Sequence, residues 1–204
     1  MKLKNPRGYL SYTQIDMWRR NKQRYIANYI MGEDRTFTNS GIEHGKKTSE
    51  ALETGEAGGD AIMEAVLALL PHYSEREYEM RVTMRTKDGE VDLLGKLDTF
   101  DPKKLRIREY KTSRNMWTQK QAQRHPQLHH YATMIYLKYG KLPTECWLDC
   151  IETEEGDEGV RFTGNIQSFH VKIGLTEVLE YMSLANRVAR EIDAEYRHQL
   201  KRLA

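Results

Sequence analysis

Hydrophobic positions recur with a helical period at the start of the chain. Ile15, Trp18, Tyr25, Ile26, Tyr29 and Ile30 follow Ser11, a suitable N-cap, and predict a helix over residues 11–30. A polar stretch over 32–40 separates it from a second expected helix over 41–52. The glycine-rich run 55–59 interrupts, and an apolar helical pattern over 61–70 ends at Pro71. The period then falls to two. Strands are predicted over 79–86 and 91–100, joined at Asp88-Gly89, a strong hairpin signal. A third strand covers 105–111, after the turn Asp101-Pro102-Lys103-Lys104. Residues 119–139 return to a helical period. Pro126 fits only a first turn, so the helix proper is expected to begin near His125. Strands over 146–152 and 166–173 flank an acidic loop over 154–159, and a helix over 176–203 follows. This order predicts one α/β domain over 1–204, a mixed central β-sheet of about five strands flanked by helices.

Composition narrows the class. A chain of 204 residues with 39% hydrophobic and 30% charged positions is polar, yet its 12 tyrosines and three tryptophans argue for a packed core rather than disorder. No apolar run approaches the roughly 20 residues a membrane span needs. The basic start, residues 1–7, leads into no apolar signal-peptide stretch. A cytoplasmic protein without membrane contact is the expectation. Cys146 and Cys150 are the only cysteines. On an extended segment they would sit about 13 Å apart, too far for a disulfide, so buried free thiols are expected. A net charge of +2 is too mild to indicate nucleic acid by itself. Local clusters (Arg19, Arg20, Lys22 and Arg24; Lys46-Lys47; Arg197, Lys201 and Arg202) are ordinary solvated faces unless another motif points to phosphate.

One hairpin carries chemistry. Leu93-Leu94-Gly95-Lys96-Leu97-Asp98 and Leu105-Arg106-Ile107-Arg108-Glu109-Tyr110-Lys111 place an acid on one strand and an acid and a lysine on the next. If Phe100 pairs with Leu105, Asp98 faces Ile107 and Lys96 faces Glu109. Asp98 and Glu109 are then diagonal neighbours on one face, roughly 7–8 Å apart at the backbone. Lys111, two residues beyond Glu109, points the same way. A slip of one residue would put Asp98 on the other face. Two converging carboxylates suit Mg²⁺ or Mn²⁺, which take oxygen ligands and can hold a phosphate oxygen as well. An ammonium beside them stabilises charge on an attacked phosphate. On spacing alone, an ordinary surface hairpin with a charged face explains the same residues.

Neighbouring motifs change that balance. Gly95-Lys96-Leu97-Asp98 followed by Ile107-Arg108-Glu109-Tyr110-Lys111-Thr112-Ser113 resembles the G-x-x-D … D/E-x-K-T core of the PD-(D/E)XK nuclease superfamily. Three further segments are similar to its RecB-type branch. Leu10-Ser11-Tyr12-Thr13-Gln14-Ile15 resembles that branch's L-S-x-S-x-L opening. Gly41-Ile42-Glu43-His44 resembles its G-x-x-x-H helix with one residue fewer, and Gln127-Leu128-His129-His130-Tyr131 its Q-x-x-x-Y helix. The motifs keep the family order over about residues 10–135. The resemblance implies a restriction-endonuclease-like fold and a Mg²⁺- or Mn²⁺-dependent DNA nuclease. It implies metal ligation by His44, Asp98, Glu109 and the Tyr110 carbonyl, with Lys111 as the catalytic lysine. It gives Gln127 and Tyr131 the places of residues that orient the lysine or contact DNA. It leans toward an exonuclease of recombination, repair or phage replication. Some branch members carry a four-cysteine iron–sulfur cluster; Asn21-Lys22 stands near the position of its first cysteine, so no cluster is expected.

Other readings stay open. A non-catalytic DNA-binding scaffold could keep the fold, although such a module has no need of two juxtaposed carboxylates. A structure-specific or restriction-type endonuclease would share the same core. His125 and His129 are four apart and could share a helix face as zinc ligands, but no acid or cysteine accompanies them. The histidines at 125, 129 and 130 are instead expected to flank a DNA path or lie exposed. A homo-oligomer, or a recombination or replication partner, is compatible with everything above.

Overall fold

The computed structural model of the chain describes residues 2–33, 48, 50, 51, 54–59, 61–156 and 159–203. A two-residue strand, β1 (Leu10–Ser11), leads directly into α1 (Tyr12–Arg20), and the Ser11 hydroxyl caps α1 by accepting from the Gln14 N–H at 3.3 Å. The single helix expected over 11–30 breaks at Asn21, whose φ is −155°. Its side-chain oxygen accepts from the Arg24 N–H at 2.9 Å and starts α2 (Lys22–Tyr25), which runs into a π-helical turn, Ile26–Ile30. Asparagine offers the backbone a side-chain alternative to the helix ladder, so it restarts the helix in a new direction. The break lets Trp18 and Tyr25 meet edge to face, with centroids 5.2 Å apart. The short α3 (Ala61–Leu69) follows, as its apolar pattern predicts.

The sheet comes next in the chain. β2 (Glu75–Thr86) and β3 (Gly89–Asp101) form a long hairpin, and β4 (Arg106–Ser113) pairs antiparallel with the end of β3. The helical stretch 119–139 divides at His125-Pro126 into α4 (Gln119–Gln123) and α5 (Pro126–Tyr139), with Pro126 in the first turn as expected. These helices cross over to β5 (Glu145–Gly156), which runs parallel to β4. β5 turns back into β6 (Gly159–Val171), and α6 (Leu175–Leu203) follows. The acidic segment expected as a loop over 154–159 is mostly sheet: Thr153, Glu154 and Glu155 pair with Phe162, Arg161 and Val160. Phe162 is buried there, so an apolar anchor outweighs the local charge.

β2 pairs along nearly the whole of β3, from Gly89 to Phe100. The other edge of β3 is therefore shared. β1 holds it in parallel at Leu93 and Leu94, and β4 holds it at Thr99 to Asp101. Between these two neighbours the edge is interrupted at residues 95–98.

Two apolar clusters sandwich the sheet. The larger joins Leu93, Leu97, Phe100, Ile107 and Leu148 to Ile15 and Trp18 of α1, Leu128, Tyr131 and Ile135 of α5, and Val178, Ala185 and Ile192 of α6. The smaller joins Tyr110, Ile151 and Phe162 to Met63 and Val66 of α3. Ile107 and Tyr110, three apart on β4, lie in different clusters, as the two-residue alternation of a strand covered on both faces requires. Cys146 and Cys150 are buried free thiols, as their spacing predicts. Among the described residues no helix is long and apolar enough to cross a membrane.

Candidate active site

β3 and β4 pair at only three positions, Thr99 with Arg108, Phe100 with Ile107 and Asp101 with Arg106. This register differs by two residues from the expected one. The turn is longer than a tight Pro102-Lys103 turn: Asp101 accepts from the N–H groups of Lys103 and Lys104, both at 3.0 Å, and Leu105 takes a left-handed φ of 52°. A shift of two preserves the facing of every side chain. It turns Asp98 and Glu109 from diagonal neighbours into directly opposed ones.

Beyond Thr99 and Arg108 the strands part, and the Asp98 carboxylate fills the opening. It accepts the Tyr110 N–H at 2.7 Å. Glu109 is 1% exposed; its Oε1 accepts from Lys111 Nζ at 2.5 Å, and its Oε2 is buried without a hydrogen-bond partner. Burial, then the facing Glu109 charge, raises the Asp98 carboxyl well above its usual range, against the pull of Lys111 and the Tyr110 N–H. Glu109 is also raised, by burial, although Lys111 works against it. Burial disfavours the charged form of Lys111, but Glu109 and Asp98 outweigh it and raise its pKa, so it stays an ammonium. Two close, desolvated carboxyls with one lysine hold on to a proton, or take up a cation in its place.

Tyr110 lies between these residues on β4. Its backbone N–H serves Asp98, while its hydroxyl reaches to the other side of the sheet and donates to the Pro71 carbonyl at 2.7 Å. Gln127 and Tyr131 act together on β3: Gln127 Nε2 donates to Tyr131 Oη at 2.7 Å, and that hydroxyl donates to the Lys96 carbonyl at 2.5 Å. They meet the site through the strand that carries Asp98, whereas the lysine's own hydrogen bond runs to Glu109. Gly95 lies beneath them. A Cβ there would come within 2.9 Å of Met134 Sδ and 3.0 Å of the Tyr131 ring, so this residue lets α5 approach the strand. His44, like Lys46 and Lys47, lies outside the described residues.

One histidine of α5 departs from expectation. His130 is fully buried rather than exposed; its Nε2 donates to the Leu94 carbonyl at 2.9 Å, and burial lowers its pKa to about 4. His125 packs against the rings of Trp117, 5.2 Å away, and Tyr12, 6.1 Å away. Among the described residues no three His, Cys, Asp or Glu side chains form a group placed to hold a metal, so the zinc reading finds no support in these positions. Two cations near the first helices are neutralised, Arg20 by Asp16 at 2.9 Å and Lys22 by Glu191 at 2.7 Å.

One acid near the site escaped the sequence reading. Glu77 on β2 lies between the pairs Arg76 with Thr99 and Tyr78 with Leu97, which sets it opposite Asp98. Its φ of 47° is left-handed, and its carboxylate meets Lys96 Nζ at 2.8 Å. The run Glu75-Arg76-Glu77-Tyr78-Glu79 gives no sign of which acid turns toward the site.

The sequence profile of the PD-(D/E)XK nuclease superfamily matches residues 33–202. The chain therefore belongs to the PD-(D/E)XK nuclease superfamily. No curated protein matches it in sequence. Among solved structures, SSO0001 superposes with a TM-score of 0.54 at 16% identity, over 89% of this chain and 75% of its own. A phage-related exonuclease from Haemophilus somnus 129PT gives a TM-score of 0.47 at 11% identity, over 97% of this chain and 87% of its own. The mixed sheet flanked by helices is the restriction-endonuclease-like fold of the superfamily.

Proposed function

We propose that this superfamily member is a Mg²⁺- or Mn²⁺-dependent deoxyribonuclease of the RecB-type branch, a single nuclease domain over 1–204. The observation that carries the reading is the meeting of Asp98 and Glu109 where β3 and β4 part, with Lys111 Nζ at 2.5 Å from Glu109. A hard cation fits the residues present. Both donors are carboxylates, and Glu109 Oε2 is buried with no partner, which leaves it available as a ligand. Asp98, Glu109 and the Tyr110 carbonyl would hold the ion, and His44 is proposed as a further ligand from its motif. When bound, such an ion supplies Lewis acidity toward a phosphoryl oxygen and toward an attacking water.

The chain's own groups do the rest. Lys111 enters the reaction as an ammonium, held in charge by the two acids, and offers a positive charge to the phosphate under attack. The Tyr110 N–H fixes the Asp98 carboxylate, so little reorganisation remains for the reaction itself. Gln127 and Tyr131 hold the β3 backbone that aims Asp98. DNA binding through the phosphate backbone would be salt-sensitive and largely independent of sequence. The motif resemblance favours an exonuclease acting in recombination, repair or phage DNA metabolism.

The test uses purified protein with Mn²⁺ or Mg²⁺ and four substrates, linear and circular DNA, each single- and double-stranded. Metal-dependent degradation that is lost in both Asp98→Ala and Lys111→Ala supports the assignment. Sparing of the circles marks an exonuclease. Undiminished activity in Asp98→Ala would sink the site. Wild type and variants equally inert would favour the scaffold reading.

A further inference from the structure

Glu77, Asp98 and Glu109 stand at one level across three neighbouring strands, β2, β3 and β4. The ladder pairs on either side of Glu77 set it opposite Asp98, and the β3–β4 register sets Glu109 opposite Asp98 from the other side. Neighbouring strands lie about 4.8 Å apart, so side chains at one level are in electrostatic contact. The Glu77 carboxylate is largely covered, 14% exposed, whereas its partner Lys96 is 52% exposed. A left-handed φ of 47° is unusual for glutamate, and such backbone outliers gather at working sites. A row of acids alone proves nothing about a ligand. The independent sign is Glu109 Oε2, buried and without a hydrogen-bond partner at the β4 end of the row.

We infer that Glu77 is an outer carboxylate of the cation site: it orders water on the ion held by Asp98 and Glu109, and Lys96 offsets its charge until that ion binds. The inference rests on the metal-dependent reading above. Among the described residues no three acids or histidines converge as direct ligands, which assigns Glu77 to the outer layer rather than to the coordination sphere. Mg²⁺ and Mn²⁺ retain several waters in such sites, and carboxylates that receive those waters tune affinity. A plain surface ion pair between Glu77 and Lys96 would have no bearing on a metal.

The experiment is a titration of the metal-free full chain with Mn²⁺ alone, read from the spin-resonance signal of free Mn²⁺, with thermal unfolding in parallel. Glu77→Gln is expected to weaken binding about tenfold. Lys96→Met is expected to tighten it roughly threefold in the wild-type background and to change nothing when combined with Glu77→Gln. If Glu77→Gln does not fold, Glu77→Asn, which tolerates a positive φ, gives the same reading. Unchanged affinity in the Glu77 variant, or an equal effect of Lys96→Met in both backgrounds, overturns the inference. Asp98→Asn separates the two levels. If it abolishes binding while Glu77→Gln does not alter it, only the outer role fails. If wild type binds no Mn²⁺, or Asp98→Asn binds as well as wild type, the metal site fails and Glu77 with it.

Discussion

Asp98 is kept by the fold at a cost to stability. Its carboxyl is raised by burial and by Glu109, so the folded protein holds its proton to higher pH than the unfolded chain does. A group raised in this way contributes fully below its unfolded value, near 3.8, and loses that contribution as pH rises through the folded value. Metal-free wild type should therefore lose stability relative to Asp98→Asn as pH rises from the acid range toward neutrality. At neutral pH the asparagine variant is expected to melt higher by about 2–4 °C, roughly 1 kcal/mol, while losing cleavage. Asparagine can still accept the Tyr110 N–H, so a lower melting point would contradict this account. Lys111→Met acts in the opposite direction. It leaves Glu109 buried without its cation and should cost about 2 kcal/mol in denaturant titration. It should also slow cleavage on the order of a hundredfold. The sequence showed which residue types meet here, since Asp98, Glu109 and Lys111 alternate correctly on their strands. It did not show Glu77, because its turn toward the site depends on a backbone angle that no local pattern encodes.

Among the elements, α5 matters most, because its side chains reach three consecutive residues of β3. His130 serves the Leu94 carbonyl, Gly95 admits Met134 and the Tyr131 ring, and Tyr131 serves the Lys96 carbonyl. Asp98 is two residues further along, so the helix sets the height of the acid. Gly95→Ala should push α5 off the strand and cost about 1–3 kcal/mol in chemical denaturation, with cleavage falling alongside. Tyr131→Phe leaves the Lys96 carbonyl and the Gln127 amide without their partner and should cost about 1–2 kcal/mol. Gln127→Ala keeps the bond to Lys96 and should cost less; a reversed order in thermal melts would contradict the hydrogen-bond chain described here. Pro126 foretold the start of this helix. Two other boundaries were hidden. The helix break at Asn21 depends on a side-chain cap competing with an otherwise continuous apolar pattern, and the length of the Pro102–Leu105 turn depends on Asp101 capping two amides and on the left-handed Leu105.

At the scale of the molecule, alternating periods in the sequence announced an α/β sheet flanked by helices, and the six-stranded mixed sheet agrees. The pairing of β1 with β3 was not readable. A two-residue strand has no periodicity to detect, and its partner lies more than eighty positions away. Yet this short strand frames the site, since it and β4 leave the interval 95–98 open on one edge of β3. That interval has a consequence for exchange with solvent. At Leu93, Leu94, Thr99 and Phe100 ladders run along both edges of β3, but over 95–98 β2 is the only neighbouring strand, and side chains such as Tyr131 stand where a second strand would pair. In deuterium-uptake experiments, the amides of 95–98 should exchange faster than those of Thr99 and Phe100, which are paired on both edges of the same strand. A molecule lodged between the parted strands would slow uptake there and leave the flanking stretches unchanged. The break in the ladder thus gives the cleft a reporter of occupancy that can be read without any bond being cut.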